Sequence, residues 1–214
     1  MSGGSIEQAR EALALCVSSL PTGATFNIVG FGSSFTELFQ GSQSFDDAHK
    51  AMALSHCKGL EADLGGTEIL SPLRFISQTK PSVERPRQVF VITDGQVGNT
   101  AQVIEFVRED QAATGTRYFS FGIGSGVSNG LVTGIAEAGC GASEFIVSGE
   151  RMQGKIMRQM NRALEPSIAN VRVDFGALRL LSDVSPKNPK PLFTGSSSTP
   201  SSTPPPCPRV CPWW

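Results

Sequence analysis

The chain has 214 residues, 39% of them hydrophobic and 17% charged, a balance sufficient for one buried core with extra segments attached. Its formal net charge of -1 supplies no basic footprint for nucleic acid and no polybasic patch for an anionic membrane surface. No run approaches the ~18 apolar residues of a membrane span, and the first residues lack the charged-then-apolar order of a secretory signal, so the expected setting is the reducing cytoplasm.

Along the chain, Ser5 to Leu20 carries Ile6, Ala9, Leu13, Cys16, Val17 and Leu20 at helical spacing. Ser5 and Gln8 form a capping-box pattern, and Pro21 ends the helix. Thr25 to Phe31 is a continuous apolar run suited to one buried strand, with Gly30 and Gly32 at its exit. Phe35 to Phe39 returns as a hairpin strand, and Ser44 with Asp47 opens a second helix whose apolar side carries Phe45, Ala48 and Met52. Glu68 to Ser77 forms a short helix that tolerates Pro72 in its first turn. Arg87 to Thr93 is the clearest buried strand. Asn99 and Gln102 start a helix through Val103, Ile104 and Val107, and Arg117 to Phe121 is a strand ending in Gly122-Ile123-Gly124. A helix around Leu131 and Ile135, a strand at Ser143 to Val147 and a helix over Arg151 to Leu164 complete the series. Met152, Ile156, Met160 and Ala163 line one face of that last helix.

This alternation predicts an α/β fold, a doubly wound and mostly parallel sheet with helices on both faces and ligands beyond the carboxyl ends of its strands. Residues 1–164 form that domain. Residues 165–193 read as the start of a β-rich region, with Val171, Val173 and Phe175 alternating as a strand does. Residues 194–214 are Ser-, Thr- and Pro-rich, a composition that predicts disorder. The five cysteines fit a reducing compartment: Cys16 falls on an apolar helix face, Cys57 and Cys140 lie near element ends, and Cys207 and Cys211 have no second pair to complete a zinc set.

The candidate site residues are Thr67, a hydroxyl on the loop Gly65-Gly66-Thr67-Glu68, and Asp94, a carboxylate just past an apolar strand. Both are ligand types that a hard divalent cation prefers. Each has a plain structural reading as well: Thr67 as a cap for the helix starting at Glu68, Asp94 as the residue setting the turn at Gly95. The glycine strings invite a nucleotide-binding oxidoreductase, but a dinucleotide fingerprint requires a third glycine where Val127 and Phe35 stand. His49 and His56 read as solvent-facing, and no nucleophile–base constellation accompanies them. No catalysis and no cofactor are expected.

Several segments together resemble a von Willebrand factor A domain: Ser5-Ile6-Glu7-Gln8-Ala9-Arg10, Phe26 through Ser34, Ala62 through Leu70, Thr93-Asp94-Gly95 and Phe119 through Gly124. More narrowly, the chain is similar to proteins that join a vault/inter-alpha-trypsin (VIT) domain to an A domain. The resemblance implies a Rossmann-like A-domain fold and a protein-binding function. In relatives, Mg²⁺ or Mn²⁺ sits in a metal-ion-dependent adhesion site (MIDAS) and is completed by a partner's acidic side chain. That site combines an Asp-x-Ser-x-Ser loop with a Thr and an Asp from later loops; the last two match Thr67 and Asp94. The loop itself has no counterpart in this sequence. The resemblance thus implies a truncated isoform or fragment that lacks the central first strand and the VIT domain. It would carry a metal-site remnant not competent for tight binding, bind an unidentified protein partner, and be unstable or aggregation-prone unless another segment fills the gap. A metal-independent scaffold is the alternative.

Overall fold

The computed structural model describes residues 4–61, 65–81, 85–124, 126–147, 149–165, 167–168 and 192–193. The chain divides into one unit spanning Met1–Leu164 and another spanning Glu165–Trp214. The expected strand at Val171 to Phe175 and the Pro-rich tail with Cys207 and Cys211 lie outside the described residues. In the second unit, Ser167–Ile168 pairs antiparallel with Leu192–Phe193.

The first unit opens on α1 (Gly4–Ser18), which buries Ala9, Ala12, Cys16 and Val17. The apolar run that follows is not the single buried strand expected. It splits into β1 (Thr25–Phe26) and β2 (Val29–Phe31), which pair antiparallel with β4 (Gln43–Ser44) and β3 (Phe35–Glu37) respectively. Asn27 is the reason. Its side-chain oxygen accepts the backbone N–H groups of Ile28 at 2.8 Å and Phe39 at 3.1 Å, while its amide donates to the Phe39 carbonyl at 2.9 Å. A side chain that takes over main-chain partners in this way interrupts a strand ladder.

Helix α2 (Asp47–Gly59) is capped by Asp46, whose carboxylate accepts the His49 N–H at 2.8 Å. Ser44, the expected cap, is instead paired within β4. The apolar face differs too: Ala53 and Cys57 are buried, whereas Met52 is 54% exposed. Phe45 precedes the helix and sets its ring edge-on to Phe26. His49 is half-buried, its ring edge-on to Phe39, rather than solvent-facing.

The parallel sheet is built from β5 (Gln88–Thr93), β6 (Arg117–Ile123) and β7 (Ser143–Ile146), in that order. Every residue of β6 is buried. This requires cover on both faces, and helices supply it. On one side α3 (Leu70–Ser77), α4 (Thr100–Thr114) and α5 (Asn129–Ala138) pack Leu73, Val103, Val107, Leu131 and Ile135 against Val89, Val91 and Tyr118. On the other, α1 and α6 (Gln153–Leu164) pack Ala12, Cys16, Ile156 and Met160 against Phe121 and Ile146. Each such aliphatic side chain contributes about 1.5–3 kcal/mol by leaving water. The doubly wound α/β arrangement is therefore present, with β2 outside the parallel sheet. Among the described residues, no strand pairs with the second edge of β5.

A polar clip ties α4 to β6 inside this core. The Tyr118 hydroxyl donates to Asp110 Oδ2 at 2.6 Å, with Tyr118 fully buried and Asp110 7% exposed. Burial first, then the Asp110 hydrogen bond and charge, push the phenol's pKa up, so it stays a donor. Tyr118→Phe withdraws this hydrogen bond from a buried carboxylate. We expect a loss of about 1–3 kcal/mol in urea unfolding with an unchanged m-value.

Candidate functional site

Parallel strands deliver their following loops to one edge, and three such features meet at the carboxyl ends of β5 and β6. The turn after β5 is set by Thr93, whose hydroxyl accepts the Gly95 N–H at 3.2 Å. Asp94 lies between them and is half-buried. The Gln96 side chain donates to the Gly126 carbonyl at 3.3 Å, joining the loop after β5 to the loop after β6. Ser5 Oγ at the start of α1 lies 3.4 Å from the position a Cβ on Gly124 would take.

The loop carrying Thr67 is wedged into the same edge. A Cβ on Gly95 would lie 2.7 Å from Thr67 Oγ1 and 3.0 Å from Thr67 Cγ2, so the hydroxyl sits directly on the residue after Asp94. The two predicted site residues are thus brought together. Thr67 does not cap α3. Glu68 does, its two carboxylate oxygens each accepting an N–H at 3.0 Å, from Leu70 and from Ser71. Hydrogen bonding from the Ser71 side chain holds the Glu68 carboxyl below the usual carboxylate range, with the backbone bonds and nearby Arg74 acting in the same direction.

Sequence reasoning assigned no role to Ser33. It stands in the turn between β2 and β3, exposed, and props the Thr67 loop from the far side. A Cβ on Gly65 or Gly66 would meet Ser33 Oγ at 3.0 or 2.8 Å, and the Glu68 N–H donates to the Gly32 carbonyl at 2.7 Å. The available signal was a hydroxyl within the glycine-punctuated exit Gly30-Phe31-Gly32-Ser33. These contacts make a stack of three loops: Gly32-Ser33, then Gly65 to Glu68, then Asp94-Gly95.

Among the described residues, the two that match the family's metal-site pattern are Thr67 and Asp94. An octahedral ion needs several preplaced oxygens, and the matched residues offer one hydroxyl and one carboxylate. Among the described residues, no group of three or more His, Cys, Asp or Glu side chains could hold a metal. The first glycine of the string Gly122-Ile123-Gly124 lies within β6. A Cβ on Gly122 would lie 2.8 Å from Phe145 and 3.0 Å from Val127, so close packing of side chains accounts for that glycine. Burial raises the Cys16 thiol to about 12, with Cys57 nearby adding to the shift, and raises that of Cys57 to about 11. Both thiols stay neutral and poorly nucleophilic.

Comparison with known proteins extends this geometry. A family model described as von Willebrand factor type A domain matches residues 1–145. The chain is 44% identical over 170 residues to human von Willebrand factor A domain-containing protein 5A, covering 79% of this chain and 21% of that protein. It is 41% identical over 175 residues to human von Willebrand factor A domain-containing protein 5B1, covering 82% of this chain and 14% of the relative. Among solved structures, proximal thread matrix protein 1 from the mussel byssus, with a zinc-occupied MIDAS motif, aligns with a TM-score of 0.61 at 16% identity. That alignment covers 77% of this chain and 44% of the mussel chain, and it shows the shared fold. The chain spans 14–23% of the length of the curated relatives it matches.

Two outcomes test the stacked loops. Gly95→Ala forces Thr67 aside and is expected to cost about 1–3 kcal/mol. Combining it with Thr67→Ala should recover at least ~1 kcal/mol of that cost in a double-mutant cycle by chemical denaturation; strict additivity would show that the two loops do not touch. For Glu68, a folded pKa below the unfolded value near ~4.3 means that its stabilisation is present above the unfolded pKa and is lost as pH falls through the folded one. Glu68→Gln should therefore lower the melting temperature at pH 7 and flatten its decline below about pH 4.

Proposed function

The chain belongs to the von Willebrand factor type A domain family, and from that membership we propose that it is a non-enzymatic protein-interaction module. Its partner docks at the carboxyl edge of the parallel sheet. The observation that carries this reading is the loop stack itself, which holds Thr67 against Gly95 beside Asp94, where ligands of doubly wound folds bind. A binding role rather than a catalytic one is supported by the character of the edge. Its loops present hydroxyls, glycines and carboxylates, and the buried thiols of Cys16 and Cys57 are neutral. The same two thiols suit a reducing, cytoplasmic setting.

Within this proposal, Thr67 and Asp94 are the remnant of an adhesion-type metal site. They correspond to two ligands of the family pattern, and the sequence has no Asp-x-Ser-x-Ser loop to supply the others.

Calorimetric titration with Mg²⁺ and Mn²⁺ should show no saturable binding in the micromolar range. Stoichiometric micromolar binding that disappears in Asp94→Ala would overturn the remnant reading. The docking face has its own test. A photo-crosslinking residue placed at Ser33 or Gln96, both exposed, should form adducts with a partner in cells, and one at exposed Glu109 on α4 should not. Adducts confined to Glu109 would move the interaction surface to the helices.

A further inference from the structure

The parallel sheet ends at β7, and among the described residues no strand pairs with its outer edge. In a parallel ladder, alternate residues turn both amide and carbonyl to the same neighbour. The carbonyls of Ala142, just before β7, and of Ile146, its last residue, accept from Ser120 and Gly124 at 3.1 and 2.8 Å. Ser143 and Phe145 therefore point their main-chain groups outward, the kind of open row through which one sheet edge pairs with another. One group in that row is already taken. From the first turn of α6, the Lys155 ammonium donates to the Phe145 carbonyl at 2.5 Å and also to the Glu150 carboxylate. The Lys155 side chain is 21% exposed, laid along the edge rather than held out in water. Three residues further along α6, Arg158 grips Glu144 of β7 through two bonds, at 3.0 and 3.2 Å.

We propose that Lys155 guards this edge, keeping β7 from pairing with the β7 of a second copy of this chain. Its first effect is occupation. An incoming strand needs the Phe145 carbonyl as an acceptor, and a charge-assisted bond already holds it. Its second effect follows from symmetry and singles out a second copy as the strand excluded. Two β7 edges meet about a twofold axis, antiparallel and self-complementary, and each strand is four residues long. Each Lys155 is thereby brought beside the other, and like charges set across a strand pair repel. Glu150 anchors the ammonium, and the Arg158–Glu144 pair ties α6 to β7, so the reach of the lysine is fixed by the fold. A neutral side chain of similar length at position 155 frees the carbonyl and removes the repulsion in one step. The guard stands apart from the docking edge and holds whether or not a partner binds there.

Amide-resolved hydrogen exchange on the full-length chain, with a reducing agent present so that no disulfide links two copies, tests the guard. The Ser143 and Phe145 amides report this edge alone, whatever other surface associates. In Lys155→Met and Lys155→Gln their exchange should slow about tenfold or more on going from dilute to concentrated protein, with sedimentation velocity showing dimer. In the wild-type chain and in Lys155→Arg, which keeps charge and donors, the two amides should be indifferent to concentration. Adding Ser143→Pro removes one outward N–H at the first residue of the strand, where proline is tolerated, and should abolish the protection of Phe145 in Lys155→Met. The proposal is overturned if the neutral variants show no concentration-dependent protection, if the wild-type chain or Lys155→Arg shows as much, or if Ser143→Pro leaves the protection intact. Failure of both neutral variants to fold would also overturn it, by making Lys155 a residue of stability alone.

Discussion

The complete burial of β6 is the constraint on which the rest of the structure depends. A strand with every residue inaccessible needs parallel neighbours to take its main-chain hydrogen bonds and an apolar layer on each face to keep water out. β5 and β7 meet the first need, and the two sets of helices meet the second. Once the three strands are parallel, their carboxyl ends must lie along one edge, and the loops after β5 and β6 must meet there. The position of Asp94, just past the end of β5, thus follows from the packing of the sheet.

What that edge can do is decided by smaller forces. The Thr67 loop is not part of the sheet and has no strand to hold it. Its placement comes from steric contact on two sides, Ser33 against Gly65 and Gly66, and Gly95 against Thr67, with the hydrogen bond from Glu68 to Gly32 fixing the register. Side chains at those glycines would open the stack. Glu68 illustrates a division of labour within four residues: it spends its carboxylate on the α3 amides, which leaves the neighbouring hydroxyl of Thr67 to face Gly95.

The hairpin regions show how local polar chemistry overrides a pattern. Thr25 to Phe31 has the unbroken hydrophobicity of a central strand, yet Asn27 redirects the main chain by accepting two N–H groups and donating to a carbonyl. Asp46 likewise displaced Ser44 as the α2 cap because a carboxylate placed immediately before the helix reaches the His49 amide, while Ser44 was already committed to pairing with Thr25. In both places the competing side-chain bond was not visible, since its partner lies on another element or one to three residues further along.

The sequence by itself determined the order and type of the helices and of the three parallel strands in the Met1–Leu164 unit, because the unbroken apolar run Val89 to Ile92 and the 3.6 period in Val103 to Val107 and Met152 to Ala163 are imposed by the buried surroundings they serve. It determined that Thr67 and Asp94 follow glycine loop and strand end, and so belong at one edge. Only the tertiary structure decided which residues touch there. Ser33 entered the site because the β2–β3 hairpin folds beside the Gly65 loop, a relation between residues more than thirty positions apart. Thr67 was assigned to Gly95 rather than to its own helix by the same means. Such contacts depend on distances across loops, and loops carry no periodicity from which a distance can be read.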